Sequence, residues 1–451
     1  MVTSYQRKGG IFTKRTMLVL SALGVLSVGS IGVLPITAYA ATSSHRTTTI
    51  KYPGHLVKMG SRGTYVKEVQ QQLNKLGYSC GTPDGVFGSH TLSAVKAFQK
   101  AHHLAVDGVV GQQTWNALFG SSTGASTTPK PIVVNPYQTY TYNKMIQDIR
   151  SLTRMYPDLV HSEVVGRTVY GRDIYAVSIG KGKPTAFING AHHAREWITT
   201  ILNMYMIDQY AQAYKKGQSI GGYNVRNVLN NATIWFIPMV NPDGVTLEQF
   251  GLSAFPRSSW ANLTRWNGGS RNFKRWKANA QGIDPNRQYD GGWAYIWYDP
   301  VHHPWYEDYK GPAPFYINEV KAVLKLINQV NPQDEIAYHS SGRTIYWGYK
   351  LTGAPANTNY WFATKVRSMT GYSIQHMGAN PSGGGLTDWW THNMGRPGLT
   401  VEVGTYEGDQ PVPVNQFSTI WSQNKAVGLF MAQQAVNLYH QHPGSVVHVH
   451  Y

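Results

Sequence analysis

One cysteine in 451 residues, Cys80, excludes an intramolecular disulfide and any zinc or iron–sulfur site built on several cysteines. Acidic side chains are scarce as well: 23 Asp and Glu stand against 40 Lys and Arg, a formal charge of +17. That balance selects anionic partners such as nucleic acid, an anionic lipid face or a bacterial wall. Beyond Ile36 no stretch reaches the roughly 18 uncharged apolar residues that a membrane span requires. What the chain does have is apolar and aromatic substance, 42% hydrophobic with 14 Trp and 29 Tyr. This is ample for sizeable cores and excludes an intrinsically disordered chain. At roughly 100–200 residues per domain, two or three domains are expected.

Lys8, Lys14 and Arg15 precede an apolar run from Met17 to Ile36, and Ala38-Tyr39-Ala40 stands before Ala41. Positive start, apolar middle and small-residue site make residues 1–40 a secretory signal peptide by pattern. No cysteine lies near the cleavage point, so a lipoprotein anchor is excluded. The expected product is secreted and cell-wall associated, with no stable membrane insertion after signal removal. Export argues against a nucleic-acid partner and favours the wall as the anionic surface.

Residues 56–119 read as a compact helical unit. Val66, Val69, Leu73 and Leu76 fall at helical spacing, and Gly77 supplies a stop. Asp84-Gly85-Val86-Phe87-Gly88-Ser89-His90-Thr91 then recurs 23 residues later as Asp107-Gly108-Val109-Val110-Gly111-Gln112-Gln113-Thr114. Each copy is an Asp-Gly turn leading into an apolar helix, with Thr placed to cap or open it. Two ordinary turn–helix corners would look the same. The whole stretch, however, through "GSRGTYVKEVQQQLNKLGY", "DGVFGSHTLSAVKAFQ" and "DGVVGQQTWNAL", resembles the three-helix peptidoglycan-binding domain of secreted wall hydrolases. A Ser/Thr/Gly/Pro segment at 120–136 reads as a linker.

From Tyr137 to His440 strand and helix patterns alternate, which implies an α/β domain: one sheet with helices on both faces. Strands are expected at Thr185–Ile188, Thr233–Val240, Glu335–Tyr338 and Leu399–Val403. Helices are expected near Ile198–Tyr214 and Asn318–Asn328, with one long last helix near Val414–Leu438. Residues 441–451 form a tail whose histidines, with His440, read as solvated. Cys80 falls in a turn of the small unit.

His193 and Glu196, in "NGAHHARE" directly after the first of these strands, form His-x-x-Glu. Spacing of i,i+3 on a turn lets an imidazole and a carboxylate converge on one cation. Catalytic zinc needs a third protein ligand and an open position, and His339, at the end of its strand, is the best candidate. His192 reads as a supporting histidine. An isolated His-x-x-Glu is weak evidence for a metal.

Five ordered segments, "GAHHAREWIT", "NPDG", "GIDPNRQY", "YHSSGRTIYWGY" and "DWW…GLTVEVGTYE", together resemble the zinc metallocarboxypeptidase family across the whole large domain. The resemblance implies that the sheet is mixed, and implies one Zn2+ per chain, held by His193, Glu196 and His339. It implies Glu402 as the catalytic glutamate that takes a proton from the attacking water and passes it to the leaving amine. Arg195 matches a substrate-contacting arginine, and Asn286 with Arg287 matches the pair binding the carboxylate next to the scissile bond. Two positions depart from the pattern. Lys277 stands where the family has an oxyanion-stabilising arginine, keeping the charge but losing the fork. Asn380 stands where digestive members have a mobile tyrosine, and Tyr372 is nearby. Before the Asp-Trp pair, in the leaving-side pocket of digestive members, stands Thr387. It is neither a greasy wall nor a buried counter-charge, and Gly383, Gly384 and Gly385 beside it leave room for a polar, zwitterionic side chain. The aromatic loop Trp293–Phe315, carrying His302 and His303, is expected to rim the cleft.

Family members that pair these two domains look like γ-D-glutamyl-meso-diaminopimelate peptidases. The expectation is therefore a monomeric wall peptidase acting on peptidoglycan stem peptides and tethered by its small module. The alternatives are a general zinc carboxypeptidase trimming ordinary peptides and a wall-binding protein with an inactive peptidase fold.

Overall fold

The computed structural model describes residues 52–101, 104, 106–119, 133–296, 299–375, 383–442, 445, 446 and 449. The signal-peptide reading, most of the linker, Asn380, His448 and His450 lie outside the described residues. The chain divides into two compact units, residues 1–124 and 125–451.

In the smaller unit, helices α1 (Thr64–Lys75), α2 (Ser89–Ala101) and α3 (Gln112–Phe119) enclose a core of Val66, Val69, Leu73, Phe87, Phe98 and Trp115. Leu76, expected on the buried stripe, is instead 42% exposed, because α1 has already ended and Gly77 turns the chain at φ 87°. The repeat has a structural cause. Gln70 Nε2 donates to Asp84 Oδ1 (2.9 Å) and Thr91 Oγ1 (3.0 Å), and its Oε1 accepts from the Gly85 amide (2.8 Å). Gln99 repeats this with Asp107 (2.8 Å), Thr114 (3.2 Å) and Gly108 (2.9 Å). Each buried glutamine thus ties the Asp-Gly turn to the following helix and leaves no polar atom of its amide unpaired. Gly108 is obligatory here: its φ is +74°, and a Cβ would lie 2.3 Å from Leu92 Cδ1. Cys80 is buried, its thiol within 3.4 Å of the Gln70 carbonyl.

In the larger unit the elements run α4 (Tyr142–Met155), β1 (Val160–Arg167), β2 (Asp173–Gly180), β3 (Thr185–Gly190), α5 (Ile198–Lys216), a two-stranded hairpin of β4 (Ser219–Ile220) and β5 (Tyr223–Asn224), α6 (Val225–Asn231) and β6 (Thr233–Ile237). They continue with α7 (Pro242–Phe250), α8 (Trp260–Trp266), α9 (Asn318–Val330), β7 (Asp334–Ser340), β8 (Thr344–Tyr346), α10 (Gly353–Thr370), β9 (Ser373–Ile374), α11 (Leu386–Asn393), β10 (Gly398–Val403), α12 (Phe417–Asn424) and α13 (Val427–Gln441). Eight strands form one mixed sheet in the order β1-β2-β6-β3-β7-β10-β8-β9. Its centre, β6-β3-β7-β10, is parallel. All six residues of β3 and the first six of β7 are buried, the continuous pattern of strands covered on both faces. One face packs against α4, α5 and α13 through Ile201, Leu202 and Phe430, the other against α9 and α11 through Val320, Leu324 and Trp390. Each such buried side chain stabilises the fold by about 1.5–3 kcal/mol.

The expected last helix is two helices. The Tyr210 hydroxyl donates to the Lys425 carbonyl (2.9 Å), taking an acceptor that a continuous helix would use, and the chain turns between Asn424 and Val427. The strand expected over Thr233–Val240 stops at Ile237, and Val240 and Asn241 donate instead to Gly190 at the end of β3 and to Ala191 just after it.

Candidate metal centre

β3, β7 and β10 run parallel, so their carboxyl ends open on one edge of the sheet, the usual site of function in such folds. β3 delivers the first pair. After Gly190 the Thr199 hydroxyl accepts from the Ala191 amide and donates to the Glu196 carbonyl, both at 2.8 Å. This fastens a 3-10 turn over Ala194–Glu196. The turn sets His193 Nδ1 2.8 Å from Glu196 Oε1. β7 contributes His339, whose Nδ1 is 2.8 Å from Glu196 Oε2 and 3.1 Å from His193 Nδ1. All three groups are buried and their ligand atoms lie within 4.8 Å of one another. Two imidazole nitrogens meeting at one carboxylate form a donor set that fits zinc in number and type. Register then brings in Glu402, paired with His339 across β10 and β7. Its Oε2 is buried without a hydrogen-bond partner. Burial and the Glu196 charge push its carboxyl well above the usual range.

These residues share a cavity of about 550 Å³ with Arg195, Lys277, Asn286, Arg287 and Thr387, so every candidate site residue stands on its wall. The cations are braced. Arg195 reaches Glu307 at 3.5 Å and Asp409 at 3.2 Å. Lys277 Nζ lies 3.1 Å from Asp284 Oδ2 and 2.8 Å from Asp308 Oδ1. Despite its burial, those two carboxylates raise Lys277 above its ordinary value. The Asn286 side-chain oxygen accepts from the Leu386 amide at 3.0 Å.

Three features were not anticipated from sequence. Asp284 sits in the "GIDPNRQY" segment, 3.2 Å from His193 Nε2, and leaves Nδ1 turned to the metal position. Its motif was visible; its partner, 91 residues away, was not. Secondly, a buried acidic group does stand behind Thr387. The Thr387 hydroxyl donates to Glu335 Oε2 at 3.1 Å, and Glu335 on β7 is fully buried, its carboxyl pushed up by burial to about 8. Thirdly, the glycines near Thr387 serve packing more than space. Gly383 and Gly384 have φ of +72° and +78°, a Cβ on Gly384 would meet Ile296 and Arg287, and only Gly385 of the three lines the cavity.

His192 is buried, its Nε2 2.9 Å from the Tyr289 hydroxyl, and does not join the ligand set. No described residue of Trp293–Phe315 lines the cavity, and the loop reaches it from behind through Asp308. His302 is exposed. Tyr372 is a core residue bonded to Gln423 and Asn424, whereas Tyr346 and Tyr406 are the tyrosines on the described cavity wall. Among the described residues no helix is long and apolar enough to cross a membrane.

Residues 145–427 match the family described as zinc carboxypeptidase, and residues 62–118 match that of a peptidoglycan binding domain. Gamma-D-glutamyl-L-diamino acid endopeptidase 1 of Lysinibacillus sphaericus is 35% identical over 301 residues, covering 66% of this chain and 73% of that one. Carboxypeptidase B of Canis lupus familiaris is 26% identical over 276 residues, 57% of this chain and 62% of its own. The structure of bovine thrombin-activatable fibrinolysis inhibitor shares the fold, with TM-score 0.54 and 19% identity over 67% of this chain and 99% of that chain.

Proposed function

Because this chain belongs to the zinc carboxypeptidase family and carries a peptidoglycan-binding domain, we propose that it is a secreted wall peptidase hydrolysing the γ-D-glutamyl–diamino acid bond of peptidoglycan stem peptides. One juxtaposition carries the reading: the His193–Glu196–His339 triad, the unpartnered Glu402 carboxylate and the Arg287 guanidinium line one cavity. The 35% identity to a γ-D-glutamyl-L-diamino acid endopeptidase supports the choice of bond.

Zinc bound by His193, Glu196 and His339 would supply a Lewis acid that polarises the scissile carbonyl and makes water acidic near neutral pH. Glu402 takes the proton of the attacking water on its free oxygen and returns it to the leaving amine. Arg287, with Asn286, holds the carboxylate of the diamino acid, for which a guanidinium fork is suited. Lys277 and Arg195 present positive charge where the carbonyl oxygen becomes anionic. Both are held by carboxylates, so they act as fixed charges that need no rearrangement during the reaction. The small module and the net positive charge, +17 for the whole chain and +13 once Arg7, Lys8, Lys14 and Arg15 leave with residues 1–40, keep the enzyme on its polymeric substrate and raise the local substrate concentration.

Digestion of purified muropeptides, with mass analysis of the products and metal analysis of the protein, tests this reading. Release of the diamino acid from γ-D-glutamate by zinc-containing enzyme is expected. Intact muropeptides alongside trimmed ordinary peptides would replace it with general carboxypeptidase activity, and no hydrolysis at all would leave a wall-binding protein.

A further inference from the structure

Two hydroxyls on the cavity wall are wired to one buried acid. Thr400 Oγ1 donates to Thr387 Oγ1 at 2.9 Å, and Thr387 Oγ1 donates to Glu335 Oε2 at 3.1 Å. The other carboxyl oxygen of Glu335 accepts from Asn189 Nδ2 at 2.8 Å. Thr387 and Thr400 line the cavity, whereas Glu335 is wholly covered. Among the described residues no cation is paired with Glu335. A buried carboxylate without a cation is costly to the fold and asks for a functional partner.

Resting on the diamino-acid reading above, we propose that Glu335 determines specificity for the substrate side chain. By holding the Thr387 and Thr400 protons inward, it makes the pocket wall present oxygen lone pairs to the distal ammonium group. The direction of the two hydrogen bonds carries the argument. Once each hydroxyl proton points toward Glu335, what remains at the Thr400 oxygen is acceptor capacity. An ammonium is donor only, so it satisfies that oxygen, while an apolar side chain leaves it unpaired. When Glu335 is ionised, its charge reaches the ligand through two polarised hydrogen bonds. A cation entering the pocket also favours the ionised form of a carboxyl that burial alone holds near neutrality. Glu335 acts through the threonines and is a positioning residue, so its loss should alter selectivity more than turnover.

The test uses the full chain at equal zinc loading. kcat/KM is measured on Ala-γ-D-Glu-meso-diaminopimelate and on the same peptide with hydrogen in place of the distal amino group. Wild type should favour the ammonium-bearing peptide by at least about tenfold, the low end for a charge-assisted hydrogen bond. In Glu335→Gln the amide can donate toward Thr387 and reverse the chain, so the ratio should fall to within about threefold of unity, with the deamino peptide cut as before. Glu335→Met removes the acid at similar volume without touching the cavity wall and should give the same collapse, which decides the matter if Glu335→Gln does not fold. A ratio kept in both variants, or an equal fall on both peptides, overturns the proposal. A wild-type enzyme that cuts only ordinary peptides overturns the γ-glutamyl reading alone. The relay is then decided by whether both variants erase a preference for C-terminal lysine over norleucine.

Discussion

Asp284→Asn isolates the group that joins the metal position to the charged cavity wall. In the native fold the carboxylate, itself without solvent contact, touches His193 Nε2 (3.2 Å) and Lys277 Nζ (3.1 Å) and accepts from the Asn286 amide (2.9 Å). Lys277 and His193 together hold its carboxyl well below the usual range against the effect of burial. Removing one partner of a buried ion pair costs about 3–5 kcal/mol. Asparagine keeps the shape, and Asp308 still holds Lys277 at 2.8 Å, so the low end, about 3 kcal/mol, is expected for the metal-free protein. Zinc affinity should fall by about 10–100-fold, because His193 loses the anion that orients its ring and raises its basicity. Competition against a chelator of known affinity measures the second effect, and thermal unfolding of the metal-free protein the first. Lower stability with zinc affinity unchanged within about threefold would refute the reasoning and reduce Asp284 to a structural ion-pair partner.

His193→Ala or His339→Ala leaves two ligands of three, and zinc content and activity should disappear together; stoichiometric zinc in either variant would contradict the triad. Glu402→Gln should retain zinc and the thermal transition while turnover drops by about 10²–10⁴-fold; a loss below about tenfold would place the base elsewhere. Removing residues 41–125 should leave hydrolysis of short soluble muropeptides nearly intact and weaken pelleting with sacculi. Equal pelleting would assign wall affinity to net charge instead.

What the sequence disclosed and what it hid divide by distance along the chain. His193 and Glu196 are three residues apart on one turn, so their spacing allowed a shared cation, and the ordered motifs around them made it specific. His339 and Glu402 became legible through ordered motifs, and the parallel pairing of β7 with β10 explains why they meet. The four central strands, as continuous apolar runs, and helices α5 and α9 were readable within a few residues, whereas α4 and α10 were not named. Asp284 and Glu335 were not legible. Each acquires its role from a partner 91 or 52 residues away, and no local pattern marks a carboxylate that the fold will bury. The break before α13 was hidden for the same reason, since Tyr210 lies 215 residues from the carbonyl it captures. The three glycines misled in the opposite direction. Small residues looked like space for substrate, yet two of them accommodate left-handed backbone packed against Arg287, Ile296 and Tyr349.

The choice of bond is the central claim, and kcat/KM on three substrates at equal zinc loading tests it most directly. The substrates are Ala-γ-D-Glu-meso-diaminopimelate, a peptide ending in Phe and a peptide ending in Lys. A polar pocket rejects side chains that leave its groups unpaired, so the γ-glutamyl substrate should lead by at least ~100-fold. A higher value for the Phe or Lys peptide would contradict the wall-peptidase account and make the enzyme a general carboxypeptidase.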